Sequence, residues 1–128
     1  MNTVSSPHVP VPAGHYSQAR LAAGLVFVSG QLPVRPPSME IPEGIEAQLI
    51  QAMTNVEHIL LAAGSSLGKL VSVQLFITDV SWWPEVNRVY ARIMGSSKPA
   101  RTIVPVSALH YGALVEISAI AEIANRFE

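Results

Sequence analysis

The stretch Ile45–Thr78, IEAQLIQAMTNVEHILLAAGSSLGKLVSVQLFIT, changes its hydrophobic period once, and that change decides the fold. In its first half Ile45, Leu49, Ala52, Met53, Val56, Ile59, Leu60 and Ala63 recur at steps of three and four, the mark of one apolar helical face. Gly64 follows as the natural residue beyond the helix end, because it accepts positive φ without a Cβ penalty. In the second half Val71, Val73, Leu75 and Ile77 alternate with Ser72, Gln74, Phe76 and Thr78, which predicts a strand with one apolar face. Between them, Gly64 to Lys69 looks like a phosphate loop, but its spacing is one residue short, Leu70 replaces the needed Ser/Thr, and the order is helix then strand. It reads as a helix cap and turn.

Working outward, Val86, Val89, Tyr90 and Ile93 form a second helical stripe, with Ser81 as a fitting N-cap, Glu85 in the first turns and Gly95-Ser96-Ser97 at the end. Thr102–Val106 predicts a strand that Pro105 either weakens or places at an edge. Leu114–Ile123 predicts the longest strand, with Val115, Ile117, Ala119, Ala121 and Ile123 on one face. Upstream, Leu25–Ser29 predicts a short strand, and Pro33, Pro36 and Pro37 force a loop after it. Residues 1–13, with Pro7, Pro10 and Pro12, read as an extended N-terminal arm. Strands, helix, strand, helix, strands is the order of a two-layer α+β domain spanning 1–128, a mixed β-sheet with two helices on one face. The other face lacks helices and, unless polar, must pack on something else, which points to assembly.

Composition supports a folded, assembled chain. Apolar residues make up 49% of the 128 and charged residues 13%, where about 25% charged is usual. Disorder is excluded, because it needs low hydrophobicity and high net charge. No membrane span is expected, since the apolar run Leu21–Val28 is far short of the ~20 residues a span needs. No secretory signal is expected, because no basic segment precedes an apolar one at the start. A net charge of −1 argues against nucleic acid as a partner. The absence of cysteine excludes disulfides, thiolate nucleophiles and cysteine-based zinc sites, and suits a reducing, cytoplasmic setting. So few charges point to apolar surface shared with other subunits, the plain alternative being a greasy monomer. His8, His15, His58 and His110 show no metal spacing, so no metal is expected, and His58 reads as a surface or boundary residue. Trp82-Trp83 reads as hydrophobic packing at a helix start rather than a base-stacking platform, since no basic groove accompanies it.

Two charged residues stand out. Arg101 follows Pro99-Ala100 at a strand entrance, where a rigid backbone aims the guanidinium, and arginine suits bidentate carboxylate recognition. The plain alternative is a solvated surface arginine. Glu116 stands inside the apolar strand Leu114–Ile120. It is either paired, exposed on the polar face, or working as a proton carrier whose pKa is raised by partial desolvation.

These residues belong to an ordered set. Gly14-His15-Tyr16-Ser17-Gln18-Ala19, Val26-Phe27-Val28-Ser29-Gly30-Gln31, Gln48 with Asn55, Ala62 to Leu67, Phe76-Ile77-Thr78-Asp79, Val86 to Ala91, Pro99-Ala100-Arg101 and Val115 to Ala121 together resemble the Rid family, also called the YjgF family. The resemblance runs from Gly14 to Ala121. It implies a chorismate-mutase-like fold, a homotrimer with three intersubunit clefts, and deamination of reactive enamines and imines. By the same resemblance Arg101 holds a substrate carboxylate and Glu116 positions and activates water. Tyr16 lines the pocket, Ser29 and the Gly30 backbone lie beside the substrate, Ile103 offers a backbone contact, and Asn87 shapes the cleft. His15 stands where the family usually has proline, the loop Leu32–Glu40 lacks the usual turn, Met94 replaces a common aromatic, and Ile103 occupies a position often held by a small residue. The family's reaction is hydrolysis of a 2-imino acid to a 2-keto acid and ammonia, which requires no metal and no organic cofactor. Two other readings stay open: a non-catalytic trimer that binds small carboxylates, and an RNA-acting relative, against which the acidic balance counts.

Overall fold

The computed structural model describes residues 2–123; the last residues of the expected domain, 124–128, lie outside them. The elements are β1 (Thr3–Val4), β2 (Ala19–Ala22), β3 (Leu25–Gln31), α1 (Ile45–Ala62), β4 (Leu70–Ile77), α2 (Trp83–Met94), β5 (Ala100–Pro105) and β6 (Val115–Glu122). They form one six-stranded sheet in the order β1-β2-β3-β6-β4-β5. Only the β4–β5 pair is parallel, joined by α2 as a crossover. Pro105 does end an edge strand, where its missing N–H costs no ladder bond.

The α1 stripe is the core. Leu49, Ala52, Val56, Ile59 and Leu60 are fully buried, and α1 packs across β3 and β6 with α2 beside it. Val73, Leu75, Ile77, Val115, Ile117 and Ala121 meet it from the sheet, and Val86 and Val89 from α2. Truncating any one of the large residues to alanine would cost about 2–5 kcal/mol, because the transfer term and the cavity term add. Gly64 sits just past the C-cap Ala63 with φ 79, as its position predicts. Two polar residues on the buried face of α1 hold loops. Gln48 Oε1 accepts from Leu114 N–H (2.8 Å), and Asn55 Nδ2 donates to the carbonyls of Leu32 (3.1 Å) and Val34 (3.0 Å).

Several expectations are corrected. The N-terminal arm also contributes a strand that was not expected: β1 adds to the sheet edge through β2, and Gln18 clasps the arm by accepting from Ser6 N–H (2.7 Å) and donating to the carbonyls of Ser6 (3.2 Å) and Pro10 (3.3 Å). β2 itself is unexpected, since Ala19-Arg20-Leu21-Ala22 carries no strand pattern of its own and is imposed by pairing with β3. Ser81 does not cap α2. It lies in a 3-10 turn, Val80–Trp82, where Asp79 Oδ1 accepts from its N–H at 2.9 Å, and α2 starts at Trp83 with Pro84 in its first turn. Val71 does not share the inner face. Leu70 pairs with Ala121 and Ser72 with Ile120, so Val71 is the extra residue of a β-bulge and is exposed while Leu70 is buried.

Among the described residues, no helix is long and apolar enough to cross a membrane. The helix-free face of the sheet is mixed rather than greasy. Ser118 donates to Gln74 Oε1 (3.0 Å) across β6 and β4, beside half-buried Phe76 and Ile120 and exposed Phe27.

Candidate active site

A second irregularity builds the site. Along β3 and β6, Val28 pairs with Ala119 and Gln31 with Ile117, so β3 carries one extra residue across Ser29-Gly30. Bulges re-aim side chains, and this one lies beside a cavity of about 760 Å³. Glu116 occupies a half-buried position on the helix-free face, between the fully buried Val115 and Ile117. It lines that cavity with Tyr16, Ser29, Gly30, Phe76 and Ser118. Burial pushes the Glu116 carboxyl above the usual carboxylate range, and the charge of His110 opposes that push. Gly30 makes room for it: a Cβ on Gly30 would stand 2.9 Å from Glu116 Oε2 and 3.0 Å from Cδ. Ser29 is already engaged, donating its Oγ–H to the Ser17 carbonyl (2.6 Å) and its N–H to the Gln18 carbonyl (2.9 Å). These bonds fix the Tyr16 segment as the cavity wall, and Tyr16 itself is 53% exposed.

Arg101, Asn87 and Ile103 lie elsewhere. Arg101 is in register with Val73 and Ile103 with Leu75, both core residues, so all four share the helix-bearing face at the β5 edge. Arg101 Nη1 donates to Asn87 Oδ1 on α2 at 2.9 Å. The guanidinium carbon stands 5.0 Å from the centre of the Tyr90 ring and 5.9 Å from that of Trp83, within cation–π reach of both. Three groups therefore fix its plane while its remaining donors stay unengaged by the described residues. The Tyr90 hydroxyl beside it is buried and has no hydrogen-bond partner among the described residues. Burial pushes the Tyr90 phenol up, and the charge of Arg101 pulls it down. Ile103 is half-buried and packs against the core.

The predicted site residues thus fall into two groups. Tyr16, Ser29, Gly30 and Glu116 surround one cavity; Arg101, Asn87 and Ile103 form a separate patch on the opposite face of the sheet. Sequence reasoning missed His110 and Tyr111, which line the cavity rim, and Trp83 and Tyr90, which flank Arg101. Tyr90 gave only the signal of a core stripe, and His110 gave none beyond lying close before the strand that carries Glu116. Among the described residues no group of three potential ligands is arranged to hold a metal ion.

The element order and the sheet order define a two-layer α+β fold of chorismate-mutase-like type. The chain belongs to the Rid (YjgF) family: the family model described as endoribonuclease L-PSP matches residues 6–123. A RutC family protein of Pyrococcus horikoshii is 41% identical over 92% of this chain and 94% of its own length. The 2-iminobutanoate/2-iminopropanoate deaminase of Bos taurus is 39% identical over 92% of this chain and 87% of its own. Among solved structures, Escherichia coli TdcF with bound serine superposes with a TM-score of 0.91 at 32% identity, covering 97% of this chain and all of that one.

Proposed function

We propose that the chain is an imine deaminase that hydrolyses 2-imino acids, and the enamines in equilibrium with them, to 2-keto acids and ammonia. The observation that carries this reading is Glu116, a half-buried carboxyl with a raised pKa, set against a side-chain-free position in a cavity large enough for a small acid. The bovine relative named for this chemistry supports it.

A protonated 2-imino acid is already electrophilic at carbon. Hydrolysis needs a water aimed at that carbon and protons moved in and out. Glu116 takes a proton from the water as the oxygen attacks, and a positioned base of this kind contributes ~10²–10⁴-fold. Arg101, its plane held by Asn87, Trp83 and Tyr90, grips the carboxylate and so orients the imine carbon. Because Arg101 and Glu116 lie on opposite faces of one sheet, a single chain does not present both to one small molecule. We therefore place the complete site between two copies of a homotrimer, one giving the Glu116 cavity and the next the Arg101 patch. No metal or organic cofactor enters these steps.

A binding role without turnover has one observation behind it, the serine held by the E. coli neighbour. An RNA-cleaving role, suggested by the family model's description, is opposed by charge: the chain is net −1, and the cavity's described lining residues include no lysine or arginine. The deciding experiment supplies imines freshly generated from several amino acids and follows keto-acid release. Release above the spontaneous rate supports the deaminase; binding of keto acids without acceleration supports the carboxylate-binding role.

A further inference from the structure

His110 stands at the rim of the Glu116 cavity. It opens the 3-10 turn His110–Gly112 that leads into β6, and it lines the same space as Glu116. The backbone that presents it is strained. Tyr111 adopts φ 61 and ψ 22, a left-handed conformation that is unfavourable for a residue with a Cβ, and Gly112 follows at φ 68. Burial does not repay that cost, because Tyr111 is 68% exposed. Its ring instead stands 5.9 Å from the His110 ring, and both side chains sit at the cavity mouth. Strain of this kind concentrates at functional sites, where the geometry it enforces is used.

The electrostatic surroundings of Glu116 are sparse. Among the described residues lining the cavity, the N-terminal segment brings the Tyr16 phenol and the turn brings His110 and the Tyr111 phenol. β3 brings only Ser29, Gly30 and Gln31, β4 only Phe76, and β6 itself Ser118. His110 is the one side chain there that can carry positive charge, and histidine is the residue type whose charge changes near neutrality.

We infer that His110 is the general acid of this cavity, the group that protonates the departing nitrogen while Glu116 serves as the base toward water. The assignment rests on the deaminase reading. In the first step the Glu116 carboxylate takes a proton from water, the water oxygen bonds to the imine carbon, and the C=N electron pair moves to nitrogen, giving a neutral carbinolamine. The imidazolium of His110 then protonates that nitrogen. As the C–N bond breaks with its electrons going to nitrogen, the carbinolamine hydroxyl gives its proton back to His110 and the carbonyl forms. The ammonia takes the proton held by Glu116 and leaves as ammonium, so both side chains end as they began. Splitting the tasks removes the need for one carboxyl to be base and acid in turn.

Two readouts on the full chain test this. With a freshly generated imine, His110→Gln should keep KM within about twofold and lose kcat by about tenfold or more, as loss of an acid used only in the transition state requires. A parent-like kcat overturns the assignment. Independently, the imidazole proton shifts of His110 are followed by NMR against pH in the parent and in Glu116→Gln. The His110 midpoint should fall measurably when the carboxylate that shares its cavity is removed, because a nearby negative charge favours the imidazolium. An unmoved midpoint overturns the pairing even if the chain deaminates imines. A moved midpoint in a parent without turnover overturns the catalytic role together with the deaminase reading, and leaves only the electrostatic influence of one side chain on the other.

Discussion

Glu116 Oε2 crowds the place where a side chain on Gly30 would begin. A Cβ there would stand 2.9 Å from that oxygen, closer than such atoms come, and a tight 3.3 Å from Glu116 Cγ. The two residues meet because the β3 bulge across Ser29-Gly30 faces β6 where Glu116 leaves the inner face. Glycine at position 30 is thus a requirement of the carboxyl's position rather than of the backbone.

Gly30→Ala tests that relationship. The clashing atoms belong to the flexible end of a side chain, so Glu116 swings aside and the fold survives. Stability should change by no more than about 0.5 kcal/mol, the ordinary size of a surface change. Turnover should fall by about 10–100-fold, because a displacement near 1 Å is enough to misplace a base. Parent-like turnover would mean that Glu116 needs no fixed position.

Glu116→Gln keeps the shape and removes the base. Turnover should fall by ~10²-fold or more while keto-acid binding persists. In the parent, the catalytic form is the carboxylate, so activity should fall as pH drops through a midpoint above the ordinary carboxyl value. Stability should move the other way. The folded pKa lies above the unfolded one, so the folded chain holds the proton more tightly, and that contribution fades as pH rises through the folded pKa. Glu116→Gln avoids the loss. Its melting temperature at pH 7 should exceed the parent's, with the gap closing below about pH 4, where the unfolded carboxyl is protonated too. Melting curves at the two pH values decide this.

Arg101→Lys keeps the charge and loses the planar fork. The ammonium cannot keep the Asn87 contact, the stacked position over Tyr90 and a two-point grip on a carboxylate together. Imine turnover should largely vanish, and Arg101→Ala should be no better, while both variants fold, since the edge position of β5 carries little of the core. Parent-rate deamination by Arg101→Lys would overturn the carboxylate clamp, and failure of either variant to fold would mark Arg101 as structural.

What the sequence made legible follows from where periodicity acts. α1 and the inner face of β6 were readable because burial on one side writes a 3.6 or a 2 repeat into the chain. Glu116 could be singled out because it is a charge on the outer face of an otherwise apolar stretch. β2 was not readable, because Ala19–Ala22 owes its strand to β3 rather than to its own residues. The start of α2 was misplaced because Asp79 caps a preceding 3-10 turn and takes the Ser81 N–H for it. The Val71 bulge was hidden, since one extra residue in a run of Leu and Val leaves alternation apparently intact. Most of the Arg101 setting was hidden too. Trp83 and Tyr90 come from α2, and only the fold shows that their rings flank a guanidinium from β5.

The separation of Arg101 and Glu116 on two faces of one sheet allows a test of the whole site by mixing. Arg101→Ala chains retain the Glu116 cavity, and Glu116→Gln chains retain the Arg101 patch. Each variant alone should be nearly inactive on imines. If the complete site lies between copies of a cyclic trimer, a mixed trimer holds one junction where an intact cavity meets an intact patch, one junction with neither, and one with half. Random reassembly of equal amounts makes about three quarters of the trimers mixed, each with one working site in three, so about a quarter of parental activity should return. The chains must be unfolded together and refolded together, because stable trimers exchange slowly. Recovery near that level requires that Arg101 and Glu116 of one working site come from different chains. No recovery, with mass measurement showing that mixed trimers did form, would mean that each chain builds its own site and that the intersubunit arrangement is wrong.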